Sequence, residues 1–300
     1  LATAQTQAHM EAPWQYSASP AMDDVQFQRW VSLLELRTGI TLPVSRKTFL
    51  VTNLHMRMRE LGVSDYQNYY NMVTDGSRGQ VEWETLVDKL TVHETRFFRD
   101  THALDLIREY YLQPLLEQKR TVPYTVHAWS VGCATGEEPY SLAMMMEDLF
   151  VPGRNLYYGV TASDVSRAAL KIGRDAIYHI RRVKNVPSDI AEKYLSQVDA
   201  EHVQVKEKLR KKVCFTHINL LDLETQPVGE MDIILCQNVL IYFKHEMRDR
   251  ILTQLVSKLK PNGLLVLGAG EVFSWKHPQL DTIKHASTLA YRRLPARGTD

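Results

Sequence analysis

The chain has 300 residues, 44% of them hydrophobic, enough to bury one large core or two smaller ones. A net charge of +1 leaves no global electrostatic footprint for nucleic acid, so a charge-driven partner must be met by a local patch. Cys133, Cys214 and Cys236 lie far apart and outside any C-x-x-C arrangement, which argues against a disulfide framework or structural zinc and for the cytosol, and no apolar run approaches the ~18 residues of a membrane span.

Residues 1 to about 22 lack periodicity and read as a disordered tail, with His9-Met10 as the join between a vector-derived leader and a native start. From Asp23 the pattern changes. Phe27, Trp30, Val31 and Leu34 fall at helical spacing behind an aspartate cap, and Gly39 ends the helix. A second helix is predicted from Pro43 to Leu61, a third behind Ser64 and Asp65 to Val73, and a fourth from Gln80 to Leu90, so residues 23–90 form a small all-helical domain. The second helix is the one basic patch, with Arg46, Arg57 and Arg59 among its charges. It reads either as a solvated face or as a docking surface for an acidic partner helix.

A linker spans 91–103, and a helix from Thr101 to Lys119 turns Leu104, Ile107, Tyr111 and Leu115 inward. Thereafter strand and helix alternate, with strands predicted at 124–131, 156–162, 213–217, 231–236 and 263–268 and helices at 138–149, 166–173 and 245–259. This is the signature of a doubly wound, mostly parallel α/β sheet. His285 to Arg292 supplies a final antiparallel strand at or near the edge. Between Tyr178 and Leu220 the rhythm breaks into a helix at Ser188–Leu195 and the alternating His202–Lys206, which predicts a small β insert at about 196–217 within a domain covering 104–300.

The chemistry centres on Trp129 to Met144, a strand, a glycine loop and a helix whose ligand would lie at the strand's carboxyl end. Gly132 lets the backbone approach that ligand, Ala134 stands where a dinucleotide fingerprint has glycine, and no Gly-Lys-Ser/Thr follows, which excludes a P-loop. Glu137 and Glu138 would repel a pyrophosphate but suit a cation such as S-adenosylmethionine. The bland reading is a strand-to-helix turn with acids at a helix N-terminus. Asp164 ends the second strand, where an acid can accept ribose hydroxyls or cap the next helix. At the end of the fourth strand, Asn238 and Tyr242 read as ligand contacts or as a cap and a core aromatic.

With the linker, the glycine loop, Ala162-Ser163-Asp164 and Cys236-Gln237-Asn238-Val239-Leu240-Ile241-Tyr242-Phe243 in view, the chain resembles the CheR family of chemoreceptor glutamate O-methyltransferases from Asp23 to Arg293. The resemblance implies a helical receptor-docking domain and a class I, Rossmann-like S-adenosylmethionine-binding domain with a β-subdomain insert. It implies Arg99 and Tyr242 at the catalytic centre. The cofactor set it implies is His93, Thr95, Arg99, Gly132, Ala134, Glu137, Asp164, Asn219, Leu220, Asn238 and Val239, with Glu137 at the methionyl end, Asp164 at the ribose and Asn219-Leu220 beside the adenine. His93 stands where the family has asparagine, and Gln237 where it has arginine. No metal is implied. The partner is the cytoplasmic helical domain of methyl-accepting receptors, to whose membrane arrays a cytoplasmic monomer would be recruited. Relatives that bind a receptor's carboxyl-terminal peptide carry a glycine-containing loop in the insert; between Tyr194 and Lys206 this chain has none, so the tether is expected to be dispensable. Alternative readings are a S-adenosylmethionine sensor or scaffold, or a carboxyl methyltransferase acting on another protein or a small acid.

Overall fold

A computed structural model describes residues 21–272, 275–285 and 288–295, so most of the expected tail lies outside the described residues; at its end, Met22 is already buried in the helical core. Helix α1 (Asp24–Thr38) opens on a reciprocal capping box, in which the Asp23 carboxylate accepts the Gln26 N–H at 2.7 Å and the Gln26 side chain accepts that of Asp23 at 3.1 Å. A 3-10 turn, Val44–Arg46, precedes α2 (Lys47–Leu61), which therefore starts at Lys47 rather than Pro43. Next come α3 (Tyr66–Thr74), capped by Asp65, and α4 (Gly76–Leu90), which starts before the predicted Gln80. Trp30, Leu34, Leu54, Tyr69 and Leu86 are the centre of their shared core.

The docking reading of Arg57 does not survive this packing. Its guanidinium forks onto both oxygens of Glu82 at 2.7 Å and reaches Glu60 at 2.5 Å, while Tyr69 donates to Glu82 at 2.7 Å. Glu82 is buried, so Arg57 neutralises an interior charge between α2 and α4 and offers little to a partner. Arg59, in the last turn of the same helix, is exposed.

The predicted helix 101–119 is broken in two. Helix α5 (Thr101–Ile107) passes through a π turn, Arg108–Leu112, into α6 (Gln113–Glu117). Pro114 has no N–H to return to the Tyr110 carbonyl, which instead accepts the Arg292 guanidinium at 2.7 Å.

The remaining elements, in order, are β1 (Tyr124–Val131), α7 (Glu137–Leu149), β2 (Leu156–Asp164), α8 (Arg167–Asp175), β3 (Ile177–His179), α9 (Ser188–Tyr194), β4 (Leu195–Gln197), β5 (His202–Val205), α10 (Glu207–Arg210), β6 (Val213–His217), β7 (Met231–Cys236), α11 (His245–Ser257), β8 (Leu259–Leu267), β9 (Leu280–Lys284) and β10 (Leu289–Arg293). Seven of the strands make one sheet in the order β6-β2-β1-β7-β8-β10-β9, parallel from β6 to β8, with β10 antiparallel to both its neighbours. β9, not predicted, takes the edge itself, and β10, the antiparallel strand expected at or near it, lies one strand in. The insert also differs from expectation. Its sheet is β3-β5-β4, so it begins at Ile177 and closes at Val205, whereas Val213–His217 pairs with β2 in the main sheet. Among the described residues no helix is long and apolar enough to cross a membrane.

The helical unit is fastened over the carboxyl ends of the strands. The Tyr242 carbonyl accepts the Thr41 N–H at 2.8 Å and its hydroxyl at 3.0 Å, and Ile40 bridges Phe243. Asp88 of α4 accepts the Ser166 hydroxyl at 2.6 Å where α8 begins.

Removing one partner of a buried charge pair strands the other, at a cost of about 3–5 kcal/mol, whereas an exposed side chain without such partners is worth within about 0.5 kcal/mol. Arg57→Ala should therefore shift urea unfolding strongly and Arg59→Ala hardly at all. Equal midpoints for the two variants would restore Arg57 to the surface.

Candidate active site

The parallel sheet changes direction between β1 and β7: from β1 the chain moves outward to β2, and β7 returns on the other side of β1. Two loops diverge at such a point and leave a crevice beyond the strand ends. Here the crevice has a large lobe of about 770 Å³ and a smaller one of about 280 Å³, and Arg46, Gly132, Ala134, Asn238 and Tyr242 line both.

Three of the six non-glycine residues with positive φ among the described residues stand on its walls. Phe98, Ala134 and Asn238, none of them glycine, have φ of 51°, 47° and 60°. Each such residue costs roughly 1–2 kcal/mol. At Phe98 the twist sends the fully buried Phe97 into the core and leaves Arg99 exposed at the small lobe. Gly132 has φ 68°, and a Cβ there would stand 2.3 Å from Cγ2 of Val239, so the two loops meet only because that position is glycine.

Asp164 ties the glycine loop to the start of α8, whose cap is Ser166 rather than Asp164 itself. One carboxylate oxygen accepts the Ala134 N–H at 2.9 Å, holding the glycine loop, and the other accepts the Ser166 N–H at 2.9 Å. Burial pushes its pKa upward against those bonds. A carboxylate has about four acceptor sites, so two remain for a ligand in the large lobe that Asp164 lines. His93 lines the same lobe with one ring nitrogen 2.9 Å from the Thr91 hydroxyl. Leu220 and Asn219 are also there, but the Asn219 amide donates to the Arg37 carbonyl at 2.7 Å and its oxygen accepts the Leu221 N–H. With its side chain spent on α1, Asn219 offers a ligand its backbone.

The assignment of Glu137 is corrected by geometry. Its side chain is fully buried and lines neither lobe; it accepts the Thr135 hydroxyl at 2.6 Å and the Arg182 guanidinium at 2.5 Å. Consecutive helical residues point about 100° apart, so only one of two adjacent acids can face the strand ends. That one is Glu138, which lines the small lobe and accepts the Ser130 hydroxyl at 2.7 Å. Burial pushes its pKa up to about 7, with the Ser130 bond pulling the other way.

Thr95, Arg99 and Tyr242 complete the small lobe. Arg99 donates to the Glu94 carbonyl at 2.7 Å, leaving other donors of its fork for a ligand. Arg46 joins it there, so this residue belongs to the crevice as well as to the outer face of the helical unit. Gln237 donates to Asp100 at 2.8 Å, supplying a hydrogen bond to that acid without the charge an arginine would bring. One residue escaped the sequence reading altogether. Glu271 is buried after β8 and its carboxylate accepts N–H groups of Asn238 (2.8 Å), Leu240 (3.0 Å) and Gly268 (2.8 Å), pinning the loop that carries Asn238, Val239 and Tyr242. Nothing in its local sequence distinguishes it from a surface acid in a loop.

The crevice thus offers acceptors for paired hydroxyls in a roomy lobe, and a buried acid facing basic and phenolic groups in a tight one. Those features fit S-adenosylmethionine, whose ribose and cationic methionyl end need such partners.

Comparison with known proteins finds the same two parts. The CheR methyltransferase all-alpha domain matches residues 26–91, and the CheR methyltransferase SAM binding domain matches residues 93–289. The chain is 34% identical over 259 residues to the chemotaxis protein methyltransferase of Escherichia coli (strain K12), covering 85% of this chain and 86% of that protein. Identity to the chemotaxis protein methyltransferase of Salmonella typhimurium is 33% over 259 residues, with the same coverage of 85% and 86%. For that of Borreliella burgdorferi it is 31% over 248 residues, covering 82% and 87%.

A cationic ligand needs Glu138 ionised, and a group of pKa about 7 gains most of its charge between pH 6 and pH 8. Affinity for S-adenosylhomocysteine, whose ammonium the same acid would meet, should therefore rise with pH, about fivefold from pH 6 to pH 7. Glu138→Gln should flatten that slope. Calorimetry across the range checks this, and a flat wild-type profile would remove Glu138 from the ammonium site.

Proposed function

The chain belongs to the CheR methyltransferase family, and from that premise we propose that it esterifies glutamate side chains on the cytoplasmic helices of methyl-accepting chemoreceptors. It is an S-adenosylmethionine-dependent methyltransferase acting in chemotaxis. The observation that carries the finer reading is the small lobe, where Glu138 stands with Arg99 and Tyr242 in one polar chamber of about 280 Å³.

S-adenosylmethionine supplies an electrophilic methyl group on a sulfonium. Asp164 would hold its ribose, Glu138 its ammonium, and the Gly132–Ala134 loop and the Asn238–Val239 pair its flanks; Thr95 and His93 close the site from the linker. The acceptor needs no general base, because a glutamate carboxylate with an ordinary pKa near 4.3 is ionised at neutral pH. What remains is positioning and removal of water. Arg99 has the forked donors to hold one carboxylate oxygen, and the Tyr242 hydroxyl, which has no hydrogen-bond partner among the described residues, can orient the group so that its other oxygen faces the methyl. Holding both oxygens tightly would blunt the attack.

For docking, Arg46 at the crevice mouth and exposed Arg59 are the basic groups left to meet acidic receptor helices once Arg57 is spent inside. The turn between β4 and β5 is short and free of glycine, which supports methylation without a peptide tether.

The test is incubation with tritiated S-adenosylmethionine and membranes carrying receptors. Label should enter the receptor band and leave as methanol in alkali, as an ester must; alkali-stable label, or incorporation indifferent to receptor, would contradict the reading. In single turnover at saturating cofactor, Arg99→Ala and Tyr242→Phe should each slow transfer by about 10- to 100-fold, the worth of one hydrogen bond to a charged group. Arg99→Lys should recover little, because a point charge cannot reproduce the fork. Wild-type rates in both variants would move the chemistry elsewhere.

A further inference from the structure

The buried carboxylate of Glu137 sits in the first turn of α7, beside the residues that line the crevice but outside it. Its cation comes from a different unit. Arg182 follows β3 in the insert, in the 3-10 turn Ile180–Val183, and its guanidinium reaches Glu137 at 2.5 Å and the Thr135 hydroxyl at 2.8 Å. From β3 itself, the Tyr178 hydroxyl donates to the Thr135 carbonyl at 2.7 Å. The chain of bonds continues past Glu137: its carbonyl accepts the Ser141 hydroxyl at 2.7 Å, and that hydroxyl accepts the Phe98 N–H at 2.9 Å, next to Arg99. Insert, glycine loop, α7 and linker therefore meet at one buried acid.

We propose that Arg182 is a positioning residue for the cofactor: by pairing with Glu137 it fixes the rotation of the first turn of α7, and so aims Glu138 into the small lobe and holds Ala134 at the junction of both lobes. This assigns the insert a part in cofactor binding, separate from any role in engaging a partner. The geometry supports it in two ways. Glu137 and Glu138 are adjacent on one helix turn, so a turn that releases the first carboxylate towards solvent must swing the second. And a carboxylate enclosed by protein is stable there only while paired; among the described residues Arg182 is the one cation within salt-bridge reach of Glu137. Arg182 is itself 43% exposed, so the pair is held from the surface and can be altered without opening the core.

The inference rests on the reading of the crevice as an S-adenosylmethionine site, and the test separates the two. Calorimetry with S-adenosylhomocysteine is run on wild type, Arg182→Ala, Arg182→Lys, Glu137→Gln and the Arg182→Ala/Glu137→Gln double variant, with thermal unfolding of each alongside. Arg182→Ala should weaken binding about tenfold while single-turnover transfer at saturating cofactor stays within about twofold of wild type. Arg182→Lys should regain most of the affinity, since a charge within reach of Glu137 suffices. In the Glu137→Gln background, itself weakened, the alanine substitution should cost nothing further, because the pair that fixes the turn is already gone. A folded Arg182→Ala protein with wild-type affinity overturns the inference, as does an equal loss from Arg182→Ala with and without the Glu137 carboxylate. Should Arg182→Ala fail to fold, a wild-type affinity in Glu137→Gln does the same. A wild type that does not bind S-adenosylhomocysteine overturns the cofactor reading itself.

Discussion

Everything at the crevice depends on how closely two loops can approach where the sheet order reverses. β1 and β7 are neighbours, their following loops turn opposite ways, and Val239 packs onto the backbone of Gly132 at a distance no Cβ would allow. The approach is held from three sides. Glu271 gathers the N–H groups of the loop after β7, Asp164 gathers that of Ala134 after β1, and Thr41 reaches from the helical unit to the Tyr242 carbonyl. Ala134 and Asn238, non-glycine residues in left-handed conformation, are tolerated because these bonds over-determine their positions. The result is a crevice whose two loops are fixed against each other by buried hydrogen bonds.

The electrostatics follow the same logic. Asp164, Glu138 and Glu271 are all partly or wholly removed from water, and burial raises the pKa of each. An acid in that condition favours whatever restores its charge, and a sulfonium with an ammonium nearby does so. Arg99 and Arg46 keep the same small lobe from being uniformly negative, which a carboxylate acceptor requires. One chamber can thus receive a cation from one side and an anion from the other, the charge pattern that methyl transfer to a carboxylate calls for.

Much of this was legible in the sequence because the parallel strands are short apolar runs bounded by turns, and their ends carry the polar residues. The strand ranges of β1, β6 and β7 match their predicted spans. What failed did so for identifiable reasons. Glu137 and Glu138 are indistinguishable without the rotation of their helix, and that rotation is set by Arg182, forty-five residues away in the chain. Arg57 has the composition of a docking residue, and only the packing of α4 against α2 brings it the buried Glu82. Asn219 stands at the crevice as expected, and only its amide's bond to α1 is a long-range contact that local pattern does not encode. β9 is a five-residue edge strand with a weak alternation, and the insert's limits were misjudged because His202–Val205 pairs backwards with Ile177–His179 as well as with Leu195–Gln197.

The most direct measurement is a crystal structure with bound S-adenosylhomocysteine. Its ribose hydroxyls should lie within hydrogen-bond distance of the Asp164 carboxylate and its ammonium at Glu138, with the sulfur facing the Tyr242 hydroxyl and Glu137 still paired to Arg182. An ammonium bound at Glu137, or a nucleoside lying away from Asp164, would contradict this placement.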